Sequence, residues 1–75
     1  MVAARSARSV LEEMTALMLA VPGLAAAAGE LAAWYEGKAH LLERIAATGG
    51  PDAGFARDQA VAAHRHATRL LQEAA

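Results

Sequence analysis

Glutamate and histidine side chains in the middle of this sequence have a spacing that could support metal chemistry. Glu36 and His40 are four residues apart, and Glu43 follows three residues later. On a helix these intervals place the side chains on one face, where a carboxylate and an imidazole can bind one ion. Helical metal sites normally take ligands from several helices. The sequence allows such a site if a second helix completes it. A solvated polar face with local ion pairs is the favoured interpretation, and neither a metal nor any other cofactor is expected.

Two further histidines, His64 and His66, lie in the last third of the chain. Residues two apart on a helix point about 200° away from each other. They therefore cannot converge on one ion, and we expect them to flank the alanine-rich face of the third helix on opposite sides.

Lys38 lies near the centre of the largest apolar surface that the sequence can build. Its neighbours three or four positions away on a helix are Trp34, Tyr35, Leu41 and Leu42. A lysine there could act as a nucleophile or base, but more commonly its methylenes cover apolar surface while the ammonium reaches water, an aromatic ring or a carboxylate such as Glu12 or Glu13. We predict a structural or interface role, because a lysine at such a position can set register and partner choice.

Motifs for catalysis are missing from the sequence. There is no cysteine, no constellation of serine, histidine and aspartate, and the glycine-containing segment 49–54 is predicted to be a turn rather than a phosphate-binding loop. The protein is therefore not expected to be an enzyme.

Basic residues in the third predicted helix raise the alternative of a small DNA-binding regulator; they are Arg57, His64, Arg65, His66 and Arg69. They are distributed around the helix, Asp58 and Glu73 lie among them, and the net charge of the chain is −1. Binding to nucleic acid is therefore not favoured, and if present it should weaken steeply with salt.

The elements that must position these residues are predicted to be three helices in a single small domain, residues 1–75. Alanine is abundant and β-branched and aromatic residues are few, which favours an all-α fold. We expect helices at about 6–20, 24–48 and 53–74, with the first two ended by Pro22-Gly23 and Gly49-Gly50-Pro51. Ser9 and Asp52 are the predicted N-caps.

Small side chains form two stripes on these helices. Gly29, Ala33 and Gly37 recur every four residues, and we expect another backbone to pack closely against them. The residues that recur at four- and three-residue steps on the third helix, which we call its seam, are also mostly small: Ala56, Ala60, Ala63, Ala67, Leu70 and Ala74. So thin a seam contributes little apolar volume. It therefore leaves bulkier side chains of the first two helices to be covered by something else.

This uncovered apolar surface predicts a protein-interaction face, composed of Leu31, Trp34, Tyr35, Lys38, Leu41, Leu42, Ile45, Met14 and Met18. The favoured function is a non-enzymatic interaction module, that is, an adaptor, inhibitor or small regulatory subunit. Its core would be completed by homo-oligomerisation or a protein partner. A DNA-binding regulator and a metal- or ligand-binding helical bundle are the alternatives.

The uncharged run 14–29 is too short for a membrane span and is divided by Pro22-Gly23. No membrane association is expected. The absence of cysteine fits a cytoplasmic location, while a signal-peptide interpretation of residues 1–28 remains open.

Overall fold

The computed structural model describes the backbone of residues 2–74 and the side chains of residues 10–74. It contains three α-helices in chain order: α1 at Val2–Leu19, α2 at Ala28–Ala47 and α3 at Ala53–Ala74. No strand occurs between residues 2 and 74. The predicted all-α fold with three helices is confirmed.

The first helix begins earlier than predicted. Ser9 lies inside α1 and is not its N-cap, so the predicted capping box is wrong. The residues before Ser9 include three alanines and two arginines, which are strong helix formers, and they extend the helix toward the start of the chain.

The second helix begins four residues later than predicted, with Ala27 as its N-cap in an extended conformation (ψ 153°). A turn precedes it, closed by the Ala26 N–H donating to the Gly23 carbonyl at 3.0 Å. Leu24 lies in this turn and is fully exposed, so it does not belong to the helical face. At the other end Gly49 adopts the predicted left-handed conformation, with φ 74°.

The contact between α2 and α3 is an alanine seam. Its members are all buried: Ala32, Ala39 and Ala46 from α2, and Ala56, Ala60, Ala63 and Ala67 from α3. The first four predicted seam positions of the third helix are thus confirmed, while Leu70 is half-buried and Ala74 is exposed at the end of α3. Because alanine side chains are short, the two helices can lie close together along their length.

The contact of α1 with the rest of the protein differs from the contact between α2 and α3. The first helix contacts α2 and not α3 within the described part of the chain. Leu41, at 6% exposure, is the one buried side chain larger than alanine among residues 10–74, whereas Leu11, Met14, Met18 and Leu19 of α1 are all exposed. The fold is therefore an α2–α3 hairpin with α1 on its outside.

None of the three helices, over the residues that the structure describes, is long and apolar enough to cross a lipid bilayer.

Candidate functional site

A cluster of carboxylates and imidazoles lies at the edge of the alanine seam. His64 of α3 is placed between two glutamates of α2: its Nδ1 is 2.6 Å from Glu36 Oε1, and its Nε2 is 2.9 Å from Glu43 Oε2. Carboxylates only accept hydrogen bonds, so these contacts fit an imidazolium with both ring nitrogens donating. The hydrogen bond to Glu43 is the main cause that raises the pKa of His64 above 6.5. Glu36 adds to it, and desolvation opposes it.

The geometry of the two helices explains why these side chains meet. Glu36 and Glu43 are separated by seven residues, or two turns of α2, and His64 directly follows the buried Ala63 of α3. A His64 side chain reaches both carboxylates because the alanine seam keeps the helices close.

His40 extends the cluster from α2. Its ring centroid lies 5.7 Å from that of His64, with the planes inclined at 68°. One ligand atom each from Glu36, His40 and His64 can be chosen so that all three lie within 4.8 Å of one another. We call Glu36, His40, Glu43 and His64 the His–Glu cluster. It can hold a proton on His64 or offer nitrogen and oxygen ligands to a cation.

The helical spacing predicted the α2 half of this cluster and required a second helix to complete it. His64 was not predicted as the completing residue, because its spacing from His66 does not indicate which residues of the other helix it faces. The two histidines do diverge as predicted: His66 lies against Tyr35, with ring centroids 4.2 Å apart. Pairing the two alanine seams in antiparallel register would have placed His64 opposite the glutamates.

A second region is an apolar groove of about 140 Å³ between α1 and α2. Its walls are Met14, Leu17 and Met18 from α1, and Lys38, Leu41, Leu42 and Ile45 from α2. The Lys38 ammonium lies 5.7 Å from the centre of the Trp34 ring and 5.9 Å from that of Tyr35. The ammonium of Lys38 therefore lies against the aromatic rings in a cation–π arrangement.

Two polar contacts attach α1 to α2 beside this groove. The Trp34 indole N–H donates to the Leu17 carbonyl at 2.8 Å, and that carbonyl belongs to the last turn of α1, where carbonyls lack a full set of helical partners. Arg44 Nη1 is 2.6 Å from Glu13 Oε2. Glu13, suggested from the sequence as a carboxylate for Lys38, thus pairs with Arg44.

The predicted interaction face is distributed over three levels of burial. Leu41 is buried; Leu31, Trp34, Tyr35, Lys38, Leu42 and Ile45 are half-buried; Met14 and Met18 are exposed. Tyr35 is directed toward α3 through its contact with His66. The exposed part of the face therefore lies on α1 and along the groove.

The glycine stripe of α2 makes no close backbone contact in the described structure. A Cβ atom added at Gly29 would meet nothing within 4 Å, and one added at Gly37 would meet only the Leu17 Cδ1 methyl at 3.5 Å. That distance is ordinary van der Waals contact, so no backbone of the same chain approaches this stripe closely within the described residues.

The basic residues of the third helix do not form one surface. Arg57, Arg65 and Arg69 are exposed, whereas His64 lies between glutamates and His66 lies against Tyr35.

Comparison of the chain with family models, curated proteins and solved structures finds no match. The class that the fold defines is a small three-helix all-α protein.

Proposed function

We propose that this chain is a non-enzymatic interaction module whose apolar face on α1 and α2 packs against a second copy of the same chain. The observation that carries the proposal is the disparity between buried and exposed apolar side chains. In the described residues the buried apolar positions are all alanine except Leu41, while several large side chains of α1 remain exposed. Burying apolar surface contributes about 25 cal/mol per Å². Covering the exposed α1 side chains would therefore supply apolar burial that the single chain lacks.

A second copy is the favoured occupant for two reasons. A two-fold symmetric pair brings identical apolar patches together, so the partner supplies the kind of surface that each face requires. The net charge of −1 also opposes self-association only weakly, since proteins near zero net charge associate more readily than highly charged ones.

Lys38 lines the groove between α1 and α2, close to Trp34 and Tyr35, where a cation can fix the register of two packed helices. This arrangement fits a regulatory subunit or adaptor that functions as a dimer, and we propose a cytoplasmic location for it.

Sedimentation velocity across a hundredfold dilution tests the dimer. The wild-type chain, with a mass of 7.8 kDa, should sediment as twice that mass and dissociate only on dilution. Met18→Glu places a charge on the exposed face and should give a monomer, because burying an unpaired carboxylate is strongly unfavourable.

Leu71→Glu is the matched control. Leu71 is also exposed, at 52% against 68% for Met18, but it lies on α3. This variant should remain dimeric. A wild-type chain that stays monomeric at the highest concentration, or two variants that dissociate equally, would contradict the proposed face.

The DNA-binding alternative stays a prediction from the sequence. Two of the five basic residues that suggested it, His64 and His66, lie against α2. A salt-dependent mobility shift would test it.

A further inference from the structure

We propose that the His–Glu cluster binds a zinc ion, with Glu36, His40 and the Nδ1 atom of His64 as ligands and Glu43 as the carboxylate that orients His64. This site is independent of the proposed dimer, because it lies across α2 and α3 and the dimer face lies on α1 and α2.

The ligand types and their positions support zinc. Imidazole nitrogen and carboxylate oxygen are both regular zinc ligands, with bond lengths of about 2.0–2.2 Å. Three ligand atoms of Glu36, His40 and His64 already lie within 4.8 Å of one another. Tetrahedral zinc needs its ligand atoms about 3.3–3.6 Å apart at those bond lengths. Small side-chain rotations would separate Glu36 Oε1 from His64 Nδ1, which are 2.6 Å apart, and would bring the exposed His40 toward both.

The backbone supplies part of the necessary rigidity. Glu36 and His40 are one turn apart on α2, an interval that directs two side chains to one side of a helix. His64 comes from the facing helix at the point where Ala60 and Ala63 are buried against α2. A ligand set that spans both helices of the hairpin would tie them together when the ion binds.

The two nitrogens of His64 have different partners, and this difference assigns their roles. Nδ1 faces Glu36, at 2.6 Å from Oε1, and Glu36 is itself within reach of His40. Nε2 is 2.9 Å from Glu43 Oε2. A zinc-bound histidine usually donates its other ring N–H to a carboxylate or carbonyl, which fixes the tautomer. Glu43 is placed to accept that bond.

Binding should be accompanied by loss of a proton. Zinc binds only an unprotonated imidazole nitrogen, so wherever Nδ1 carries the proton donated to Glu36, the ion can bind that nitrogen only after the proton is lost. Zinc therefore takes the place of the Nδ1 proton, while the Nε2 proton stays on His64 and is donated to Glu43. With three protein ligands the fourth tetrahedral position is left for water.

Isothermal titration of the chelator-treated full chain with zinc chloride tests the site. We expect one ion per chain, saturable binding, and release of a proton that is detected by repeating the titration in buffers of different ionisation enthalpy. Magnesium chloride should give no saturable binding, because magnesium prefers an all-oxygen octahedral shell.

Variants distinguish the ligands from their neighbours. Glu43→Gln should weaken zinc binding by about 10- to 100-fold, as expected for the partner of a metal-bound histidine. His40→Ala and His64→Gln should weaken it further. His66→Gln is the control, since His66 is two residues from His64 on the same helix but contacts Tyr35, and its affinity should equal that of the wild type.

A measurement on the wild-type chain tests the site even if some variants fail to fold. In ¹⁵N spectra of the histidine rings, zinc should shift the Nδ1 resonance of His64 and leave its Nε2 protonated. The proposal is overturned if zinc gives no saturable heat, if His66→Gln loses as much affinity as His64→Gln, or if the His64 resonances do not respond. Repeating the titration with Met18→Glu separates the two proposals, because loss of the dimer should leave zinc affinity unchanged.

Discussion

The contact between α2 and α3 and the contact between α1 and α2 differ in the side chains that they bury. The first is made by seven buried alanines, with the polar His–Glu cluster along its edge. The second is made by leucine and methionine side chains, most of which stay half-buried or exposed, together with one indole hydrogen bond and one ion pair.

This difference shows that side-chain size and degree of burial need not go together. Alanine contributes little area per residue, yet it lets two helices approach closely, so the seven alanines between α2 and α3 are all buried. The larger side chains of α1 could contribute more, but α1 has only one neighbouring helix in the described structure. The hairpin should therefore be rigid and intolerant of added volume, and the α1 contact should be tolerant of it.

The largest expected effect comes from adding volume to the seam. Ala60 is 1% exposed, and Ala60→Leu should lower the free energy of unfolding by about 1–3 kcal/mol, because overpacking forces helices and rotamers apart. Urea unfolding followed by circular dichroism measures the change. Ala62→Leu, on the exposed side of the same helix, should change stability by less than about 0.5 kcal/mol. Equal effects from both variants would mean that the seam is not closely packed.

Adding a methyl group at the α1 contact should have a smaller effect of opposite sign. Gly37→Ala brings a Cβ to ordinary contact with Leu17, so it should raise the free energy of unfolding by about 0.5–1 kcal/mol through the lower backbone entropy of the unfolded chain. Thermal melts measure it.

Gly49→Ala is the control for Gly37→Ala, because φ is 74° at Gly49. A side chain in this left-handed conformation costs about 1–2 kcal/mol, so the control should be destabilised. If Gly37→Ala is also destabilised, α1 packs on α2 more tightly than the structure indicates.

The smallest expected effect concerns the polar edge of the seam. The hydrogen bonds that His64 donates to Glu43 and Glu36 raise its pKa in the folded protein above 6.5, so the folded state binds this proton more tightly than the unfolded state. Its stabilisation is complete below about pH 6.5 and is lost as the pH rises through the raised pKa. Melting temperatures of the metal-free chain should therefore fall as the pH is raised above about 6.5.

Melting temperatures of two variants, measured over the same pH range, identify the group that causes this pH dependence. His64→Gln should flatten it, since glutamine does not titrate, whereas His66→Gln should leave it as in the wild type. His40 also faces the cluster and is retained in both variants. A pH dependence that survives in His64→Gln would assign it to another group.

Much of the fold could be predicted from the sequence because it depends on local patterns. The alternation of four- and three-residue steps predicted the seam at Ala56, Ala60, Ala63 and Ala67, and the glycine after the second helix predicted its end. The beginning of α2 was missed because the Gly23–Ala26 turn takes up residues that the apolar periodicity had assigned to the helix.

The site was only half predictable. Glu36, His40 and Glu43 share a face by helical spacing alone. The position of His64 beside them depends on the register between two helices, which no local pattern specifies. The pairing of Arg44 with Glu13 was missed for the same reason, since it depends on where α1 crosses α2.

The position of Trp34 makes the fluorescence of the protein a probe of the contact between α1 and α2. Trp34 is the single tryptophan of the chain, and its indole N–H is bonded to the last turn of α1. The intrinsic fluorescence of the protein thus originates at the joint between α1 and the hairpin. A red shift of the emission without loss of the helical signal would report detachment of α1, and its concentration dependence would show whether assembly holds that joint closed.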